Sequence, residues 1–269
     1  MKLAAFRYYI ISIFRMIKGF SNPWVLFSLW LAPSETHTKI LRLRNGERFE
    51  VFSLMDAWVV KETVLEGQYE QVSLPLEDGW TVMDIGAALG DYAVWAARQT
   101  SHGRVIAVEP FPLAVEVLRR NLKQNDIHNA EVVAGAAASS NGMTSLKVVG
   151  KVVQNSTANN GAGGETLTVE TFTLAELFKR TGVTCCDYLK MDCEGGEYDI
   201  LFTAAEETLQ QVERICMEVH DGMTSHDRGE MIRFLQQHGY QTKLTLNPVH
   251  HELAYLYAIK NSPRKEHQP

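Results

Sequence analysis

From Trp80 onward, short apolar runs alternate with glycine-containing turns and longer segments of helical periodicity, and this alternation constrains the fold more than any other feature. Strand-like runs are expected at Thr81–Ile85, Arg104–Val108, Glu131–Ala134, Tyr188–Met191, Ile215–Val219, Gln241–Leu246 and Leu253–Ile259. Between them lie helical patterns. Asp91–Gln99 carries Ala93, Val94, Ala96 and Ala97; Pro112–Asn125 carries Val115, Leu118 and Leu122; two more run over Leu174–Arg180 and Arg228–His238, the last ended by Gly239. Strands that alternate with helices must return in the same direction, which requires a mostly parallel sheet with helices on both faces. Two further strands, Ser145–Val149 and Thr166–Val169, flank a Gly/Asn/Ser-rich stretch at Asn155–Gly164 that reads as a surface loop.

Upstream the pattern differs. Asn45-Gly46 lies between β-prone residues (Ile40, Leu41, Leu43 before; Phe49, Val51, Phe52 after), which predicts a hairpin over 39–53. A helix over Asp56–Leu65 should end at Gly67. Residues 1–32 are rich in Phe, Ile, Tyr, Leu and Trp, but Lys2, Arg7, Arg15 and Lys18 interrupt them. The longest uncharged stretch, Gly19–Ser34, is 16 residues and contains Pro23, short of the roughly 20 apolar residues of a spanning helix. No small-residue cleavage site follows, which disfavours a signal peptide. At helical spacing Phe6, Tyr9, Ile10, Ile13, Met16, Ile17 and Phe20 share one face, opposite a stripe of Arg7, Arg15 and Lys18. Such a helix either packs on the rest of the chain or a second copy, or rests on an anionic membrane. The expected division is an N-terminal extension, 1–78, a ligand-binding α/β domain, 79–260, and a polar tail, 261–269.

Four segments carry chemistry. The first is Asp84-Ile85-Gly86-Ala87-Ala88-Leu89-Gly90, a strand ending in an acid, a glycine turn, then a helix. Glycines permit the turn and close approach of a ligand. It departs from the dinucleotide fingerprint at Ala88 and Asp91, and its acid would repel a pyrophosphate. A cation such as S-adenosylmethionine, with a sulfonium, an ammonium and no phosphate, would be accepted. The second is Val105–Pro110, an apolar strand ending at Glu109, where a carboxylate can accept hydrogen bonds from ribose hydroxyls. The third is Lys190-Met191-Asp192-Cys193-Glu194-Gly195-Gly196-Glu197, three carboxylates around two glycines at a strand end. These acids could hold a substrate hydroxyl, a metal or the cofactor, or simply cap a helix. The fourth is Cys216–Asp221, where strand alternation puts Glu218 and His220 on one side and His220 is placed to act as a base.

Charge and cysteines narrow the partners. The net charge of −6 gives no overall basic footprint for a nucleic acid. Cys185, Cys186, Cys193 and Cys216 form no C-x-x-C pair, which argues against a structural zinc site and fits reduced thiols in a cytoplasmic protein.

Taken in order, Asp56, Tyr69, Asp84 to Gly90, Tyr92, Glu109-Pro110, Asn121, Thr173-Leu174-Ala175-Glu176-Leu177, Lys190 to Glu197 and Glu218-Val219-His220 resemble the FkbM family of methyltransferases, from about Leu41 to Tyr240. The resemblance implies a Rossmann-like methyltransferase fold with a seven-stranded sheet, S-adenosylmethionine as donor, and methylation of a hydroxyl on a sugar, glycolipid or natural product. The implied cofactor site is Asp84, Gly86, Ala87, Gly90, Tyr92, Glu109, Pro110, Ala137 and Asp192; the implied catalytic residues are Asp192, Glu194 and His220. Where the family often has asparagine this chain has Ala88, and where it often has an acid this chain has Ser139. The acceptor is expected to be a small molecule or glycan. A metal-free mechanism is preferred over one using a divalent ion. Methylation of nucleic acid or protein, a non-catalytic scaffold, a homo-oligomer and a peripheral membrane contact through the N-terminal helix stay open.

Overall fold

The computed structural model describes residues 2–31, 37–147, 166–220, 222–247 and 253–262, with side chains from Tyr8 onward except those of Lys147 and His220. The expected loop at 155–164 and most of the expected tail lie outside the described residues.

Helices α1 (Lys2–Gly19) and α2 (Trp24–Leu31) open the chain. The hairpin forms where Asn45-Gly46 predicts it, as β1 (Lys39–Arg42) paired antiparallel with β2 (Arg48–Val51). Helix α3 (Leu54–Val60) starts at a reciprocal cap: Ser53 Oγ accepts from Asp56 N–H and the Asp56 carboxylate accepts from Ser53 N–H. It runs on as a π-helical turn, Lys61–Leu65, and α4 (Gln68–Val72) follows Gly67 in the left-handed conformation.

The main sheet then builds outward from β3 (Thr81–Ile85). The chain passes through α5 (Asp91–Gln99), β4 (Arg104–Glu109), α6 (Pro112–Gln124) and β5 (Ala130–Ala134). A small second sheet interrupts, formed by β6 (Ala136–Ala137), β7 (Gly142–Lys147) and β8 (Thr166–Phe172). Helix α7 (Leu174–Thr181) leads back to β9 (Tyr188–Met191), on the other side of β3. There follow α8 (Glu197–Phe202), α9 (Glu206–Leu209), β10 (Arg214–His220), α10 (Arg228–Gln237), β11 (Tyr240–Leu246) and β12 (Leu253–Lys260).

The seven strands lie in the order β11-β12-β10-β9-β3-β4-β5. All are parallel except β12, which runs antiparallel to both β10 and β11. This is a Rossmann-like arrangement, with the seven strands that the resemblance implies. The order reverses between β3 and β9, and in open α/β sheets the crevice at the carboxyl ends of such strands receives the ligand.

Strand alternation divides the core. Val82, Val105, Ala107 and Tyr188 face one layer with α5 and α6; Met83, Ile106, Leu189 and Met217 face the other with α7, α8 and α10. The N-terminal segment is continuous with the first layer, since Met16, Phe20, Leu29 and Phe49 share its core. Asn121 of α6 and Asn125, which caps its end, complete that attachment by treating β2 as a neighbouring strand. Asn121 Oδ1 accepts from Glu50 N–H at 2.7 Å, and Asn125 exchanges bonds with both backbone groups of Arg48.

Candidate active site

The glycine turn after β3 is fixed by backbone. Gly86 and Ala87 N–H both bond Val108 O, at 3.0 and 3.1 Å, and Asp192 N–H bonds Ile85 O at 3.0 Å. Gly86 has φ +80°, and a Cβ there would fall 1.9 Å from Asp192 O. Only glycine therefore lets the ends of β3 and β9 meet. The next turn residue, Ala88, has φ +45° and donates its N–H to Glu109 Oε2 at 2.8 Å. Glu109 Oε1 accepts Phe111 N–H at 2.9 Å. Both oxygens are thus oriented by backbone, and each retains a lone pair toward the cavity. Burial raises the Glu109 carboxyl to about 7, against the pull of the two N–H groups.

Beneath this turn lies a buried ion pair. Asp84 is fully enclosed, with Lys190 Nζ 3.0 Å from its Oδ1. Burial raises Asp84 to about 6 and Lys190 only partly offsets this. Burial opposes the Lys190 charge as well, but Asp84, Asp192 and Asp91 outweigh it and hold the ammonium above its ordinary range. Lys190 also donates to Gly86 O at 3.1 Å.

A cavity of about 550 Å³ opens above the switch point, within the size range of small-molecule sites. Of the site residues expected from the sequence, Gly86, Glu109, Pro110, Ala137, Asp192 and Glu194 line it. Asp84, Ala87, Gly90 and Tyr92 are absent from the lining and support it from behind. Asp84 is taken up by Lys190, Gly90 starts α5, and Tyr92 is buried edge-on to Tyr69, with ring centroids 5.1 Å apart. Glu197 also turns away. Fully buried, it accepts the N–H groups of Cys193 and Gly195 at 2.5 and 2.9 Å and so shapes the loop that presents Asp192 and Glu194. His220 ends β10 opposite Leu253; its side chain lies outside the described residues.

Of the remaining wall, the sequence singles out Glu218 and Tyr69 but not the other residues. Tyr8, Tyr9, Met55, Trp58, Glu62 and Tyr69 line it from the N-terminal segment, and Glu218 and Tyr255 from the late strands. Tyr8 and Tyr9 pack on Trp58, with centroids 5.9 and 5.6 Å away. Glu62 accepts from the Tyr8 hydroxyl and from Trp58 Nε1, the latter at 2.7 Å. Tyr69 donates to Asp192 Oδ2 at 3.3 Å. Glu218 is pushed well above the ordinary carboxylate range by burial, and by Asp192 beside it. A further clue in the sequence was Lys190, a charge inside an apolar strand that requires a buried acid.

Six carboxylates (Glu62, Asp91, Glu109, Asp192, Glu194, Glu218) line the cavity, against one ammonium, Lys190. That balance suits a cationic ligand and repels a phosphate. The sequence profile of the FkbM methyltransferase domain matches residues 84–242, which spans both halves of the sheet around this cavity.

The chain belongs to the FkbM methyltransferase family.

Its methyl donor is accordingly S-adenosylmethionine, and the charge of the cavity fits that group's sulfonium and ammonium. The 31-O-demethyl-FK506 methyltransferase FkbM of Streptomyces tacrolimicus is 22% identical over 239 residues, 78% of this chain and 91% of that protein. Methyltransferase sdnD of Sordaria araneosa is 24% identical over 192 residues, 60% of this chain and 73% of that protein. AMB antimetabolite synthetase AmbE of Pseudomonas aeruginosa is 22% identical over 242 residues, 75% of this chain, which spans only 11% of that much longer protein. Among solved structures, methyltransferase FkbM from Methylobacillus flagellatus superimposes with a TM-score of 0.49 at 15% identity, over 76% of this chain and 54% of that one.

Proposed function

We propose that this FkbM-family methyltransferase transfers the methyl group to a hydroxyl oxygen of a small-molecule or glycan acceptor. The observation that carries the reading is Asp192. It stands in the cavity wall where the sheet edge meets the tyrosines, one oxygen held by Tyr69, with the raised carboxyl of Glu218 nearby. The chain's similarity to the 31-O-demethyl-FK506 methyltransferase of Streptomyces tacrolimicus supports the reading.

Gly86, Glu109, Pro110 and Ala137 would hold the nucleoside end, Glu109 through the two ribose hydroxyls. Asp192 and Glu194 would face the charged end. When bound, the donor supplies an electrophilic methyl on a sulfonium. The acceptor oxygen would form the new C–O bond as the methyl's bond to sulfur breaks, the pair staying on sulfur as a neutral thioether; a carboxylate of the Asp192–Glu218 group would take the hydroxyl proton, and Tyr69 would keep Asp192 oriented. A base whose pKa lies near the working pH is best matched to this task. His220 is a second proposed base, on sequence position alone, two residues beyond Glu218 on β10.

The test is labelled donor incubated with a panel of hydroxylated glycans and polyketides, with the products read by mass spectrometry. A base-stable methyl ether is expected. Asp192→Asn, or separately Glu218→Gln or His220→Ala, should lower turnover by about 10²–10⁴-fold if that residue takes the proton. Label appearing on protein or RNA instead, or full turnover in all three variants, would overturn the reading.

A further inference from the structure

The N-terminal segment exposes apolar surface that packing does not explain. Ile13, Phe14 and Ile17 of α1 are 47, 61 and 46% exposed. The buried stripe of that helix is Ser12, Met16 and Phe20 instead. On α2, Trp24, Phe27 and Trp30 are 69, 62 and 64% exposed, at a spacing that puts them on one face. The two helices flank one support: α1 packs on the π-helical turn 61–65 and α2 on α3, which runs directly into it. The exposed surface continues to the cavity, since Tyr9 and Met55, 41 and 43% exposed, are both lining residues.

Charge says what covers this face. Residues 1–44 hold seven Lys and Arg and a single acid, Glu35. The remaining residues hold 19 Lys and Arg against 31 Asp and Glu. A symmetric dimer through this face would press two basic segments together. Exposed tryptophans in a basic segment are instead the composition of an interfacial element, with aromatic rings at headgroup depth and cations against anionic lipid. No helix among the described residues is long and apolar enough to cross a membrane.

We propose that the α1–α2 face docks on an anionic lipid surface and lies in its plane, with the mouth of the active-site cavity at the edge of the contact. The proposal does not depend on which acceptor is methylated, and vesicle binding is read with neither substrate present.

The test is flotation of the full chain with phosphatidylcholine vesicles, with and without phosphatidylglycerol. Recovery with the anionic vesicles should exceed that with neutral ones by about tenfold and fall as salt is raised. Trp24→Ser with Trp30→Ser, neither of which lines the cavity, should cut recovery severalfold while leaving donor affinity by calorimetry unchanged. Failure to float with either vesicle would overturn the proposal. So would a concentration-dependent dimer in sedimentation, broken by the same two substitutions, because a second copy would then be the occupant.

Discussion

The two walls of the cavity are built on different principles. The sheet-edge wall is held by bonds with one solution each: Gly86 where no Cβ fits, Ala88 N–H on Glu109, Cys193 and Gly195 N–H on Glu197. The N-terminal wall is aromatic and partly exposed, and its polar contacts are side chain to side chain, such as Trp58 and Tyr8 on Glu62. The first wall can fix a ligand that never changes. The second offers surface, in which ring contacts and methyl-sized adjustments decide what fits. Under the proposed function, the sheet edge would set the donor's geometry and the N-terminal segment the acceptor's.

Three substitutions would break or sharpen that division. Lys190→Met should have the largest effect, because it strands Asp84 in a fully enclosed site. Removing one partner of a buried pair costs about 3–5 kcal/mol, to be measured by urea unfolding. Without the lysine, the Asp84 carboxyl titrates above the value of about 6 it has beside Lys190, so the deficit should be greatest at alkaline pH and shrink as pH falls toward 6. A variant as stable as the parent would show that the ion pair does not support the turn.

Glu109→Gln should come next, weakening the donor by about 1.5–3 kcal/mol for a lost charged hydrogen bond. The same residue makes binding pH-dependent. Its carboxyl is raised to about 7 by burial, so part of the population must lose a proton before it can serve as a charged acceptor. Donor affinity should rise from pH 6 to 8 and level off above, and calorimetry in buffers of different ionisation enthalpy should detect proton release on binding. Affinity that is flat with pH in the parent would remove Glu109 from the ribose contact.

The smallest effect belongs to the opposite wall. Met55→Ser should raise the acceptor KM by about tenfold or less, the scale of a methylene or two in an apolar pocket, with donor affinity unchanged. Equal losses for both ligands would mean that the two walls do not divide the work.

The sheet-edge wall was largely legible in the sequence because period and punctuation specify it. An apolar strand, a terminal acid and a glycine turn can be read one residue at a time, and the seven strands fall close to the positions so read. Short elements escaped. Helices α4, α8 and α9 are too brief to show periodicity, and α2 is apolar all round. The roles of Asp84 and Tyr92 were displaced one layer inward, since a motif fixes where the chain turns but not which acid meets the buried lysine. The aromatic wall was the least legible. It joins residues more than fifty positions apart, such as Tyr8 and Glu62, through contacts with no local period. The face of α1 that its periodicity groups together is also mostly the exposed one, with Met16 and Phe20 as the buried exceptions.

The π-helical turn at Lys61–Leu65 makes the protein unequally tolerant of two kinds of genetic change. Such a turn holds one residue more than an α-helix needs, and it is often found at functional sites. Conservative point substitutions at its half-buried positions, Val64 and Leu65, should be absorbed by local repacking. Loss of a single codon there would let the segment close into regular helix and rotate everything before it by about 100°, the angle of one residue in 3.6 per turn. Trp58 would leave the wall, and the Lys61 ammonium, now 4.1 Å from its ring centroid, would leave its place there. Lineages of this chain should therefore keep the number of residues in 61–65 even where the letters at Val64 and Leu65 change.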